Sequence, residues 1–414
     1  MITTLATLTL IAAASPATPL AAAPLSSGGE VVQIRAATVL VGDGTTLTDA
    51  LVLVEDGKIK SIGKGADANA DLPLFEHDGV LSAGIVVAQT ESGAAAEVYE
   101  SARSTLPTAR VTYAFDPDHS DFDRALESGV TTLVLAPSAR NLVGGLTAVV
   151  KSHGGTVVAA DAQLAISFAQ SAIGGSGGSA FGVFFGDAEG TASAPMAIDG
   201  SPENTASSGR GERTPTSYPG SLDVLGNLFG SAAEDGPLAR AKEGSLPVLL
   251  EAWDRNEVAR ALAFAKANGL TGALRGAPLA GDPRLLESIK ASGLGVIVGP
   301  FQAGQRRRSL ESVGQLQAAG VTVAFALAEA GTNPDLLRLS AAMAVQAGAD
   351  LDKTWSALTG DAARMAGVAG RVGTVAVGCD ADLVFWSGHP LDLTSSVESV
   401  WIDGALVHSA KASK

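Results

Sequence analysis

The chain has 414 residues, of which 46% are hydrophobic and 17% charged, and its mean hydropathy is +0.26. That balance excludes an intrinsically disordered chain, and the length suits one large α/β barrel or two to three smaller domains. A net charge of −15 opposes phosphate backbones, so no nucleic-acid partner is expected. Five histidines and one cysteine leave few residues for a His-rich or Cys-rich metal site.

Residues 5–14 form a ten-residue apolar run followed by small residues and prolines. The run is too short to span a bilayer but suits the h-region of a signal peptide, although Met1-Ile2-Thr3-Thr4 carries no Lys or Arg. Residues 1–23 are therefore read as a signal peptide. The chain is expected to be exported to the periplasm or cell envelope, with no transmembrane segment.

From residue 31 to 64 the pattern is purely β, with Asp56-Gly57 as a tight turn between two strands. From about residue 80 it changes to strand followed by helix. Gly129, Gly269, Gly293 and Gly320 each close a helix before an apolar β-branched run. Asp254 with Glu257 predicts a capping box, and Asp282-Pro283 and Asn333-Pro334 predict helix starts. Ser309 precedes a further helix. Near residue 370 the β pattern returns, with Asp403-Gly404 as a hairpin turn.

The predicted architecture is α/β. Residues 81–367 would form a TIM-type (β/α)8 barrel, and residues 30–80 and 368–410 a small composite β-sandwich built from both chain ends. Residues 174–211 are rich in Gly and Ser and read as a mobile insertion. Gly174-Gly175-Ser176-Gly177-Gly178 within it lacks the Gly-Lys-Ser/Thr of a phosphate loop and the strand-to-helix frame of a nucleophile elbow.

Three segments carry a family resemblance. Gly373-Thr374-Val375-Ala376-Val377-Gly378-Cys379-Asp380-Ala381-Asp382-Leu383-Val384 precedes Val400-Trp401-Ile402-Asp403-Gly404; Asn141-Leu142-Val143-Gly144-Gly145 and Arg213-Thr214-Pro215-Thr216-Ser217 lie inside the chain; and Val39 to Gly44 with Val54 to Ile59 open it. Together they resemble the amidohydrolase superfamily, especially its exported imidazolonepropionase-like and prolidase-like branch. The resemblance implies a metal-dependent-hydrolase barrel. Its ligands would be a His-x-His pair after the first barrel strand, histidines after the fifth and sixth, often a carboxylated lysine after the fourth, and an aspartate after the eighth.

Set on this chain, those positions carry other residues. Gln89 and Glu91 stand at the His-x-His pair, Glu251 and Arg275 at the next two histidines, and Ala328 at the aspartate. A neutral amide is a poor transition-metal ligand, and a fixed guanidinium opposes a cation. No histidine occurs between His153 and His389. The expectation is no metal and no cofactor, with a Glu251–Arg275 ion pair across the emptied site; a Ca²⁺ or Mg²⁺ site on Glu91, Glu251 and Glu329 is the alternative.

Lys151, His153, Trp253 and Glu329 are candidate pocket contacts. Arg306-Arg307-Arg308 reads as a solvated loop or an anion site, His77 and His119 as surface residues, His389 and His408 as members of the β domain, and Cys379 as a surface thiol. Three readings of function stay open: a non-catalytic scaffold or partner subunit, paired with an active paralogue or with itself; a hydrolase of amide or other C–N bonds with a remodelled site; and a periplasmic small-molecule binding protein using the vacated pocket.

Overall fold

The computed structural model describes residues 31–95, 97–173, 215–276, 283–327 and 331–410. The signal-peptide segment, the Gly/Ser-rich insertion, Ala328 and Glu329 lie outside them.

The chain opens with β1 (Val31–Leu40), β2 (Thr46–Glu55), β3 (Lys58–Lys64) and β4 (Leu74–Ala83). Asp56 and Gly57 turn β2 into β3 with φ of 52° and 73°, the left-handed pair that the Asp-Gly sequence predicts. The middle of the chain then runs β5 (Ile85–Thr90), α1 (Asp121–Glu127), β6 (Val130–Leu135), β7 (Val143–Leu146), β8 (Ala148–Lys151), β9 (Val157–Ala159) and β10 (Leu164–Ser167). It continues through α2 (Tyr218–Gly230), α3 (Pro237–Lys242), β11 (Val248–Ala252), α4 (Arg255–Asn268), β12 (Gly272–Gly276) and α5 (Pro283–Ser292). Next come β13 (Gly295–Val298), α6 (Arg307–Ala318), β14 (Val323–Phe325), α7 (Asp335–Gln346), α8 (Leu351–Ala357) and α9 (Gly360–Met365). The chain ends in β15 (Leu383–Trp386), β16 (Val397–Ile402) and β17 (Ala405–Ser409).

Both chain ends do build one β unit. It is a single seven-stranded mixed sheet, ordered β17-β16-β15-β4-β1-β2-β3, rather than the two stacked sheets of a sandwich. The sheet curls until its edges meet. Ile59 N donates to Cys379 O (2.9 Å), Ala381 N donates to Gly57 O (2.8 Å), and a Cβ on Gly57 would lie 2.6 Å from Asp403 O. The curl encloses a separate core of Val32, Ile34, Val39, Leu81, Phe385 and Trp401. Strand β4 also carries the unit to Ala83, past the predicted boundary at 80.

The middle departs from a regular eightfold repeat. Strands pair in two sheets, β14-β13-β12-β11-β10-β7 and β5-β6-β8-β9, with no continuous ladder around all of them among the described residues. Strands β10 to β14 are parallel, but β8 runs antiparallel to β6 and β7 antiparallel to β10. The physical reason is the connection. A parallel crossover needs a dozen or more residues, whereas residues 136–142 between β6 and β7 hold no helix and return the chain at once. The two sheets touch at both flanks, through Thr147 N to Gln163 O (2.9 Å) and Leu327 N to Gln89 O (3.1 Å). They share an inner core of Val86, Val134, Val149, Leu249, Ala273, Ile297 and Ala324.

The helix signals hold well in α4. Asp254 caps it and Glu257 completes the reciprocal capping box, while Gly269 ends it at φ 66°. Elsewhere the starts slip by one or more residues: α6 begins at Arg307 rather than after Ser309, and Pro334 itself is the cap of α7.

Candidate functional site

Side chains on a strand alternate between faces, so Glu251 and Arg275 share the inward face with Leu249 and Ala273, two residues earlier in each strand. They are register partners on β11 and β12, near the C-terminal ends of the parallel strands. From β5, Gln89 reaches the same point: Arg275 Nε donates to Gln89 Oε1 at 3.0 Å. Trp253, half-buried just past β11, covers the guanidinium, with Arg275 Cζ 4.8 Å from the indole ring centre.

This cluster is almost dry. Arg275 is 3% exposed and Glu251 4%. Burial pushes the Glu251 carboxyl up to about 7, with the Arg275 charge opposing the rise and that of Glu91 adding to it. Burial likewise pulls the Arg275 guanidinium down to about 10, against the attraction of Glu251. The cluster can hold a proton on a carboxyl near neutral pH and present a buried cation. Among the described residues no three His, Cys, Asp or Glu side chains form a group that could hold a metal ion.

Glu257 holds the rim in place. Its carboxylate accepts from Trp253 N (2.7 Å), Asp254 N (3.1 Å), Gln170 N (2.8 Å) and Tyr218 Oη (2.9 Å). The capping-box signal marks Glu257 as a helix-start residue; its part in seating Trp253 is visible only in the fold.

Gln89, Glu251, Arg275 and Trp253 are thus brought together, and Glu91 acts on Glu251 through its charge. Two expected pocket residues are not there. Lys151 faces Thr132, whereas Leu135 of the same strand is level with Thr90 at the mouth, so Lys151 lies at the opposite end of the strands. Its ammonium is fully buried against Asp380 (2.9 Å), Asp382 (3.1 Å) and Asp403. His153 is exposed in the turn after β8, at that same end. Strand β8 runs antiparallel, and that reversal sends both residues away from the mouth.

Other expectations also change. Cys379 is buried rather than a surface thiol, because the 379–381 segment is where the curled sheet closes. His77 is not a surface residue: its ring packs edge-on against Phe385 and its Nε2 lies 3.0 Å from Trp386 O. His119 is partly exposed beside Asp121, and His389 and His408 lie on the C-terminal β segment. Arg306, Arg307 and Arg308 are exposed where α6 begins, with Arg307 paired to Glu311 at 2.7 Å.

A model of the amidohydrolase family matches residues 256–407. The fold is similar to that of an amidohydrolase from Thermotoga maritima MSB8, with TM-score 0.71, 21% identity, and coverage of 91% of this chain and 100% of that one. It is also similar to a Xaa-Pro dipeptidase with bound methionine (TM-score 0.54, 14% identity, 92% and 100% covered). A third likeness is to a molinate hydrolase (TM-score 0.55, 13% identity, 92% and 95% covered). No curated protein matches the chain.

Proposed function

We propose that this chain, an amidohydrolase-superfamily protein by its family match and its fold, is a non-catalytic member that serves as an exported scaffold or partner subunit. One observation carries the reading: the Arg275 guanidinium, hydrogen-bonded to Gln89 and buried beside Glu251, stands among the positions where the sequence resemblance sets metal-binding histidines. A divalent metal does not fit these donors. It would have to displace a buried cation, and it would find one amide oxygen, the Glu251 carboxyl that is half protonated near neutral pH, and Glu91 close enough to raise it, with no imidazole among them. Export is supported by the apolar run at residues 5–14.

The second reading, a remodelled C–N hydrolase, draws on Glu251, whose carboxyl near 7 suits proton transfer at neutral pH. Metal analysis of the purified full chain, with dipeptides and cyclic amides as substrates, separates the two. The expected result is far less than one equivalent of Zn, Fe or Mn and no turnover. A stoichiometric metal whose removal abolishes hydrolysis would overturn the proposal. Metal-free hydrolysis lost in Glu251→Gln would establish the second reading.

A further inference from the structure

The far end of the central strands holds a second buried charge cluster, which neither reading of the mouth uses. We propose that Lys151 is the latch by which the central unit docks the last segment of the chain in a single register. Three carboxylates reach its ammonium from two places in the C-terminal segment: Asp380 and Asp382 before β15, and Asp403 in the turn between β16 and β17. Lys58, at the start of β3, binds Asp380 at 2.6 Å, and Arg371 binds it at 3.1 Å. The N-terminal hairpin, the central unit and the C-terminal segment therefore meet in one group of three bases and three acids.

Burial of an ammonium is costly unless counter-ions and hydrogen bonds replace water. The Lys151 side chain is 0% exposed, so it demands those partners. The apolar core of the curled sheet excludes a one-residue slip, which would turn its side chains outward, but a two-residue slip restores the alternation, and there the ion cluster separates the native register from the slipped one. Backbone contacts around the cluster depend on the register it selects: Gly84 N donates to Asp382 O (3.0 Å), Ala381 N to Gly57 O (2.8 Å), and Asp403 N to Asp382 Oδ1 (3.0 Å). Asp382 Oδ2 is buried with no hydrogen-bond partner among the described residues.

Hydrogen exchange read by mass spectrometry on the full chain tests the latch in wild type, Lys151→Met and Asp403→Asn. In Lys151→Met, exchange in segments 57–59 and 379–384 should rise by about tenfold or more, while β11 to β13 keep their protection. Asp403, whose side chain is 49% exposed, should give a smaller rise in the same segments and leaves a foldable variant if Lys151→Met does not fold. Unchanged protection of those segments in Asp403→Asn, or a loss spread evenly over the whole molecule, would overturn the proposal.

Discussion

The two ends of the central strands each bury charge, but under different terms. At the floor, Lys151 is surrounded by more carboxylates than it needs, and Lys58 and Arg371 restore neutrality. At the mouth, Arg275 has a neutral amide as its hydrogen-bond partner and, beside it, a carboxyl that burial holds close to neutral. The floor is built as a set of ion pairs around Lys151, although burial raises the Asp382 carboxyl there to about 6 against the pull of that ammonium. The mouth can shed its negative charge by taking up a proton. The difference is one of pairing: the floor acids each meet a base, so protonating Asp382 breaks an ion pair, whereas protonating Glu251 at the mouth breaks none that Arg275 depends on for its hydrogen bond.

The sharpest way to break this contrast is to remove each cation. Lys151→Met should cost roughly 3–5 kcal/mol in urea unfolding at neutral pH, because it leaves Asp380 and Asp382 buried without the ammonium. Arg275→Met should cost less, about 1–3 kcal/mol, since it removes one hydrogen bond to the neutral Gln89 Oε1, whereas Lys151 is held by three carboxylates. Equal costs would erase the distinction.

The next test is pH. Glu251 has a folded pKa raised from 4.5 to about 7, so the folded state binds its proton more tightly than the unfolded chain. Its contribution to stability is fully present below pH 4.5 and is lost as pH rises through about 7. Because Asp382 is likewise raised, to about 6, Glu251→Gln should flatten melting temperature against pH mainly between about 6 and 7, and a slope there as steep as wild type would show that Glu251 does not set it. The smallest effect should come from Asp254→Ala, which removes the cap of α4 and the register of the Glu257 hub with it. A loss of about 1 kcal/mol in the same unfolding assay is expected, with the mouth and floor clusters otherwise intact.

Much of this molecule is legible in local sequence. Asp56-Gly57 and Asp403-Gly404 force their turns because both residues of each pair take left-handed angles. Asp254 and Glu257 cap α4 because the required groups are three residues apart. The mouth cluster is legible in part, since Glu251 and Arg275 end successive strands and the resemblance sets Gln89 beside them. The direction of 143–151 is not. Its apolar residues alternate in the same way whichever way the strand runs, and the reversal decides that Lys151 and His153 face the floor.

The sequence by itself determined the α/β middle, the β segments at both ends, and the scarcity of histidine that bears on any metal centre. Those properties rest on residue type and short spacing, which act within a few residues. Tertiary structure alone decided that the end segments curl into one seven-stranded sheet and that β7 and β8 run backwards. It also decided that Lys151 finds its counter-ions 229 to 252 residues away. Charges find one another through space, and no local pattern encodes a partner at that separation.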